Sequence, residues 1–323
     1  MSTQKNPAVS VILPILNEER DLNQSISAIL QQEYDGELEI ILALGPSTDN
    51  TNQIAESLAK ADPRIKLVNN PTGKTAAALN LAIAAASFEI ICRIDGHAEI
   101  NKSYIKTAVE IMMQTDAVNV GGLMNASAEN GFQSVVARAM RSRIGVGASK
   151  FHTGGEAGPA DTVYLGTFKK SAILQAGGFD EKYIRAQDWE LNHRLRLNGG
   201  VIWFDPRLVV TYRPRDTFSK LAKQYFEYGR WRRAVSREHK GTVNYRYLAP
   251  PIALIINLLS LILGLLLNSI FFTPVIIYLS AIIFSSLFIG KGINEKLTLP
   301  SVLITMHMSW GLGFLTSPRN LIN

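Results

Sequence analysis

The chain has one cysteine in 323 residues, Cys92, which excludes any internal disulfide and suits a reducing compartment. It has five histidines, and neither His152 nor His193 has a Cys or second His at ligand spacing, which argues against a separate zinc site. The opening MSTQKNPAVSVILPIL lacks a charged stretch followed by a long apolar core, so no cleaved signal is expected. TGKT at 72–75 ends like a phosphate-binding P-loop, but Val68 stands where that motif requires glycine. Charged residues are scarce, at 19%, and unevenly placed. From about residue 250 the chain is strongly apolar, and much of the net +6 lies between Arg207 and Arg246. A basic block placed just before apolar runs fits an anionic membrane face, and no nucleic-acid partner is expected.

The first 245 residues read as an ordinary soluble domain. AVSVILPIL, LEIILALG, IKLVNN and EIICRID are short apolar, β-branched runs that predict buried strands. Between them, Leu22, Ile26, Ile29 and Leu30 recur at helical spacing, Ser47, Thr48 and Asp49 offer caps before a helix stopped by Pro63, and GKTAAALNLAIAAAS is an alanine-rich helix. The alternation predicts an α/β fold, Rossmann-like, with a mostly parallel sheet. Ligands of such sheets collect beyond the carboxyl ends of the strands. Asn17, Ser47 and Asp95 follow strand ends and are expected to converge. The glycine-rich stretch 117–180 reads as functional loops, with the loop around His152 lining or closing a site. AQDWELNHRLRLNGG predicts a helix starting near residues 186–188, and VIWFDP and LVVTYRP two more strands.

Chemistry concentrates in EIICRIDGHAEI. Residues two apart on an extended backbone point to one side, so Arg93, Asp95 and His97 share a face. Asp95 offers a hard oxygen and His97 an imidazole to a divalent cation, Mn²⁺ or Mg²⁺. Lys74, at a helix start, suits a phosphate or ribose. Pro14 and Asn17 shape the first turn, where Glu18 is also available.

Residues 217–234 place Phe218, Leu221, Tyr225 and Tyr228 along one helical side among Lys and Arg, a pattern suited to a membrane interface or to packing on the domain. The uncharged runs 250–267 and 271–289 each approach the length needed to span a bilayer, and 298–314 is a weaker third. Basic residues flanking these runs place the soluble domain in the cytoplasm of a multi-pass inner or plasma membrane protein. The expected division is 1–215 catalytic, 216–246 a basic amphipathic interface helix and linker, and 247–323 a membrane region with two or three transmembrane helices.

Several ordered motifs now make a pattern: VSVILPILNEE, STDNT, NPTGKTAAALNLAI, RIDGHAEI, YLGTFKKSAILQAGGFDE, AQDWELNHRL and QYFEYGRWRR. The chain resembles the family-2 glycosyltransferases, inverting sugar-nucleotide enzymes of the GT-A fold, over about residues 9–233. RIDGHAEI stands in place of the family's metal-binding Asp-x-Asp. The resemblance implies a nucleotide-sugar donor, a lipid-linked or glycan acceptor and a divalent cation on Asp95 and His97. By the same resemblance Asp188 is the general base, and Pro14, Asn17, Glu18, Lys74, Arg93, Asp95, Arg230, Trp231 and Arg232 contact the donor. Two departures matter. Gln187 replaces a usual Glu, which removes a like charge and is expected to leave Asp188 less prone to a raised pKa. Leu44 and Gly45 stand where the family carries a base-contacting carboxylate, leaving Asp49 as the nearby acid. Glu190 is an alternative base. Alternative functions are sugar transfer directly to a polyprenyl phosphate, or a catalytically silent membrane scaffold of the same fold.

Overall fold

The computed structural model describes residues 6–128 and 130–322; residues 1–5, where a signal was sought, lie outside them. In chain order the elements are β1 (Val9–Ile15), α1 (Leu22–Leu30), β2 (Leu38–Leu44), α2 (Thr51–Ala61), β3 (Ile65–Asn69), α3 (Thr75–Ala85), β4 (Ile90–Arg93), β5 (Glu99–Ile100), α4 (Tyr104–Thr115) and β6 (Asn119–Ala126). Next come α5 (Gly131–Met140), α6 (Arg143–Val146), α7 (Lys150–Thr153), β7 (Gly158–Pro159), β8 (Tyr164–Lys169), α8 (Lys170–Gln175), α9 (Gln187–Leu197) and β9 (Ile202–Tyr212). The chain ends with α10 (Phe218–Glu238), α11 (Tyr245–Leu266), a 3-10 turn (Ser269–Phe272), α12 (Thr273–Ile289) and α13 (Ile293–Thr316). They pack as two units, one running to Asn125 and adding Gly154–Tyr212, the other made of Ala126–Thr153 and the chain from Arg213.

The first unit is an α/β sandwich on one sheet, in the order β3-β2-β1-β4-β8-β6-β9-β5, with β7 beside β9. β1 to β4 form the parallel part, β2 and β4 flanking β1 and β3 pairing β2. β1 and β2 are almost wholly buried, so both are continuously apolar after Ser10 and Glu39 rather than alternating. Ala76, Ala77, Ala78 and Ala82 are buried on α3, where small side chains let the helix lie close to the sheet. Truncating a core residue such as Leu13 or Leu42, both 0% exposed, is expected to cost about 2–5 kcal/mol.

Beyond β4 the sheet turns antiparallel, through β8 against β4 and β6. These strands lie in the glycine-rich stretch read as loops. The glycines are there for close approach: a Cβ on Gly122 would stand 1.9 Å from the Leu208 carbonyl oxygen, and Gly166, inside β8, has φ +122°. The two strands expected at 201–213 are one, β9. Pro206 lies between the residues of β9 that pair with β7, Trp203 and Phe204, and those that pair with β5, Val210 and Thr211.

The second unit is helical. Leu221, Tyr225 and Trp231 of α10 are buried, while Phe218 at the start of the same apolar side is 42% exposed. Its backbone meets that of α13 at two glycines: a Cβ on Gly229 would fall 2.1 Å from the Trp310 carbonyl oxygen, and one on Gly313 2.0 Å from that of Phe226. α13 contains the weaker third run, and it is not among the helices that length and composition alone mark as apolar enough to cross a membrane. It carries Glu295 and Lys296, and buries Leu299, Val302, Leu303 and Met306. Glu295 accepts from Ser134 at 2.7 Å and Arg138 at 2.5 Å, joining α13 to α5. Among the described residues two helices, Tyr245–Leu266 and Ser269–Ile289, are long and apolar enough to cross a membrane. Only 17% and 11% of their apolar windows are buried, and Leu265, Leu266 and Phe288 are more than 70% exposed, unlike the core helix of a soluble protein.

Candidate active site

The turn after β1 is stitched to the loop after β2. Asn17 takes a left-handed conformation, φ 55°, its N–H donating to Ser47 Oγ at 3.1 Å and its Oδ1 accepting from the Thr48 N–H at 2.8 Å. The Glu18 N–H donates to Thr51 Oγ1 at 2.7 Å. Pro14 lies one turn of the pleat earlier, opposite Ala43. Asp49, the acid near the missing carboxylate, accepts from the Thr51 N–H at 3.1 Å and hydroxyl at 2.5 Å, so it closes this loop. Gly73, φ +64°, turns the chain into α3 at Lys74, whose carbonyl accepts from Asn70 at 3.2 Å. The convergence of strand ends expected from the sequence is present.

Arg93, at the end of β4, is 4% exposed and serves two carboxylates. Its Nε donates to Asp95 Oδ1 at 3.1 Å, and its Nη1 pairs with Asp188 Oδ1. One guanidinium therefore draws together residues 93 positions apart, leaving the Oδ2 of each carboxylate without a hydrogen-bond partner among the described residues. Asp188 is the second residue of α9, after Ala186 in the cap position with φ 64°, so it is not itself the cap. Its carboxyl is pushed above the ordinary range: burial is the main cause, the Arg93 charge pulls it back, and the Asp95 charge adds to the rise. This corrects the expectation from Gln187, because the rise comes from burial and from residue 95, not from the neighbour in sequence.

His97 Nδ1 lies 2.8 Å from Glu18 Oε1. That hydrogen bond raises the imidazole pKa, burial opposes it, and the charges of Glu18 and Asp95 add to the rise. Among the described residues no three His, Cys, Asp or Glu side chains converge as a metal cage. The groups here that could hold a cation are the Asp95 carboxylate and His97 Nε2, whose ring is oriented through Nδ1 by Glu18.

Arg194 and Asn80, neither singled out from sequence, hold this frame together with Glu190. Glu190, the alternative base, is 2% exposed and paired twice with Arg194, at 2.7 and 2.6 Å, which removes it from that role. Arg194 also donates to the carbonyls of Ala176 and Gly178, gripping the loop before α9. Asn80 of α3 clamps the same loop, donating to the Phe179 carbonyl and accepting from its N–H, both at 2.8 Å. The Glu190–Arg194 spacing of four was the signal available in sequence; Asn80 had none. His193 stacks on Trp189, with ring centroids 5.1 Å apart.

Arg230, Trp231 and Arg232 belong to the second unit. Trp231 and Arg232 are 3% and 5% exposed, Arg230 pairs with Glu227 at 2.8 Å, and Arg232 donates to the Thr242 carbonyl at 2.7 Å. These contacts all lie within that unit.

The fold and the strand-end site define a GT-A-like glycosyltransferase. The architecture matches that of a solved mannosyltransferase from Pyrobaculum calidifontis, PcManGT, determined with GDP-Man and Mn²⁺, with a TM-score of 0.66 at 19% identity over 94% of this chain and 86% of that one. Residues 10–172 match Glycosyl transferase family 2. The chain is 30% identical over 317 residues to the succinoglycan biosynthesis protein ExoA of Rhizobium meliloti, covering 94% of this chain and 93% of that protein. It is 28% identical, over 95% of each chain, to the dolichyl N-acetyl-alpha-D-glucosaminyl phosphate 3-beta-D-2,3-diacetamido-2,3-dideoxy-beta-D-glucuronosyltransferase of Methanococcus voltae. The protein belongs to glycosyl transferase family 2 and is a transferase.

Proposed function

We propose that the protein is an inverting, metal-assisted glycosyltransferase that moves a sugar from a nucleotide donor to a lipid-linked glycan at the cytoplasmic face of the plasma membrane. The observation that carries this reading is the pair of half-used carboxylates, Asp95 and Asp188, drawn to one buried arginine. Asp188 Oδ1 is held by Arg93, so Oδ2 takes the acceptor hydroxyl's proton as that oxygen attacks the anomeric carbon. The position of Asp188 in the first turn of α9 favours its ionised form against the burial penalty. Lys74 and the backbone of the turn at Pro14 and Asn17 bind the nucleotide and its phosphates. Asp95 Oδ2 and His97 Nε2 fit a divalent cation, with Glu18 orienting the imidazole. When bound, such an ion supplies the positive charge that a departing diphosphate needs. The mannosyltransferase of the same fold was solved with Mn²⁺ and a nucleotide sugar, which supports the donor class.

The acceptor is read from the relatives, one named for a polysaccharide and one for a dolichyl-linked sugar, and from the two exposed apolar helices. In this reading the first unit is catalytic, and α11 to α12 form a membrane hairpin with the basic residues before it on the cytoplasmic side. A silent scaffold would have no reason to keep Asp188 Oδ2 and Asp95 Oδ2 open. A thermal-shift screen against nucleotide sugars tests the proposal. One donor is expected to raise the melting temperature more with Mn²⁺ than with chelator. No stabilisation by any donor would overturn it. Product mass separates a lengthened glycan from a single sugar on a lipid phosphate.

A further inference from the structure

The second unit holds a cationic cluster that the transfer chemistry does not use. It is organised around Tyr247, in the first turn of α11. The Arg232 guanidinium carbon lies 4.0 Å from the Tyr247 ring centroid and that of Arg246 5.5 Å, while Trp310 of α13 is stacked beside the ring at 6.4 Å and 14°. The loop carrying α6 and α7 folds over Arg246. At Gly147, φ +70°, a Cβ would stand 3.1 Å from the Arg246 stem, and Arg246 Nη1 donates to the Ala148 carbonyl at 2.8 Å. His307 fastens this loop to α13, its Nε2 2.7 Å from the Ile144 carbonyl oxygen. His152, at the end of the loop, is held down to a pKa of about 4, by burial first and by the Arg246 charge second, so it is neutral.

The Arg246 guanidinium on this ring would be ordinary packing if its charge were met. Arg246, however, forms no ion pair among the described residues. Trp310 Nε1–H is buried with no hydrogen-bond partner, and so is His152 Nδ1. Stacking on Tyr247 accounts for the faces of the guanidiniums but leaves buried donors unanswered, and such groups are normally paired. A tetrahedral oxyanion supplies what is lacking: negative charge for arginine and acceptor oxygens for the indole N–H.

We propose that Arg232, Arg246, Tyr247, Trp310 and His152 form a binding site for a lipid phosphate. The lipid assignment rests on the membrane reading above: Arg246 and Tyr247 immediately precede the apolar run of α11, where phosphates of a bilayer lie. Two sources share this chemistry, the phosphodiester of a bilayer lipid and the diphosphate of a polyprenyl-linked sugar.

The test uses the full chain in detergent and measures binding of phosphatidylcholine, phosphatidylglycerol, a polyprenyl diphosphate and inorganic diphosphate. Arg246→Gln is expected to weaken the preferred phospholipid about tenfold, the loss of one charge-assisted contact, with Arg246→Lys recovering part of it. Trp310→Phe keeps an aromatic face beside Tyr247 but removes the indole N–H together with the pyrrole ring; it is expected to weaken binding about threefold, and decides the matter if Arg246→Gln does not fold. Preference for phosphatidylglycerol assigns a bilayer headgroup, and preference for the polyprenyl diphosphate assigns the acceptor. Binding no tighter than to phosphatidylcholine, binding of inorganic diphosphate alone, or unchanged affinity in both variants overturns the site. Nucleotide-sugar binding measured on the same samples separates that failure from a failure of the glycosyltransferase reading.

Discussion

The two ends of the parallel sheet each hold a carboxylate among cations and donors, and they are finished differently. At the amino end, Glu39 of β2 is 6% exposed as a side chain, and both its oxygens are used. Oε1 accepts from Ser10 Oγ and the Ser87 N–H, each at 2.5 Å, while Oε2 accepts from Lys66 at 2.6 Å and Ser87 Oγ at 3.0 Å. At the carboxyl end, Asp95 and Asp188 share Arg93 and each keeps one oxygen open. A fully met buried charge ties β1, β2, β3 and the entry to β4 together. A half-met one gives up stability to leave an oxygen for substrate or metal.

The comparison is sharpened first at Asp188. Asp188→Asn is expected to lower turnover by about 10²–10⁴-fold, the usual worth of a general base, in a transfer assay. Its melting temperature should hardly move, because relief of the buried charge and weakening of the Arg93 pair oppose one another. Full turnover in a folded variant would remove Asp188 as the base. Glu39→Ala should do the reverse. We expect a loss of about 2–4 kcal/mol in urea unfolding, since Lys66 and two hydroxyls lose their acceptor, with donor affinity retained in whatever fraction folds.

pH separates the two ends again. Burial raises the Glu39 pKa, but the Lys66 and Ser10 bonds and those from Ser87 outweigh it, so the folded value is lowered. Its contribution is therefore present above the unfolded value of about 4.3 and is lost as pH falls through the folded value, which acid unfolding of Glu39→Gln against the parent will show. Asp188 has the opposite sign: its folded pKa is raised, so its ionised form costs stability at neutral pH. Activity should then fall on the acid side at a pH above the ordinary aspartate value of about 3.9, as read from kcat/KM. The smallest effect is expected from Lys66→Met. Lys66 is half exposed, so removing its pair should cost about 0.2–1 kcal/mol; a larger loss would mean that the pair, not the hydroxyls, secures this end.

Much of this was legible because local spacing determines faces. The βα alternation up to residue 93, the placing of Asn17, Ser47 and Asp95 beyond strand ends, the start of α9 at Gln187 and the two apolar helices all follow from periodicity and punctuation. Arg93 and Asp95 do meet, but β4 ends at Arg93 and Asp95 opens a turn closed by the Ala98 N–H, so the strand repeat expected to carry on to His97 stops there. The GT-A-like class was readable from ordered motifs. The fused strand β9, the strands hidden in glycine-rich sequence and the allotment of residues 126–153 to the helical unit were not, because glycine carries no side-chain pattern and pairing partners lie far away in the chain.

The sequence by itself determined which residues stand at the carboxyl ends of the strands, since an extended chain has only two sides and a parallel sheet only one functional end. Only the tertiary structure decided what those residues do to one another. Arg93 could have faced a phosphate but is held by Asp188, brought from 95 positions away. The burial that raises the Asp188 pKa arises from packing around it, and Trp231 and Arg232 were drawn inside by the close crossing of α10 and α13. Charge and solvation depend on distance in space, and that distance exists only once the chain has folded.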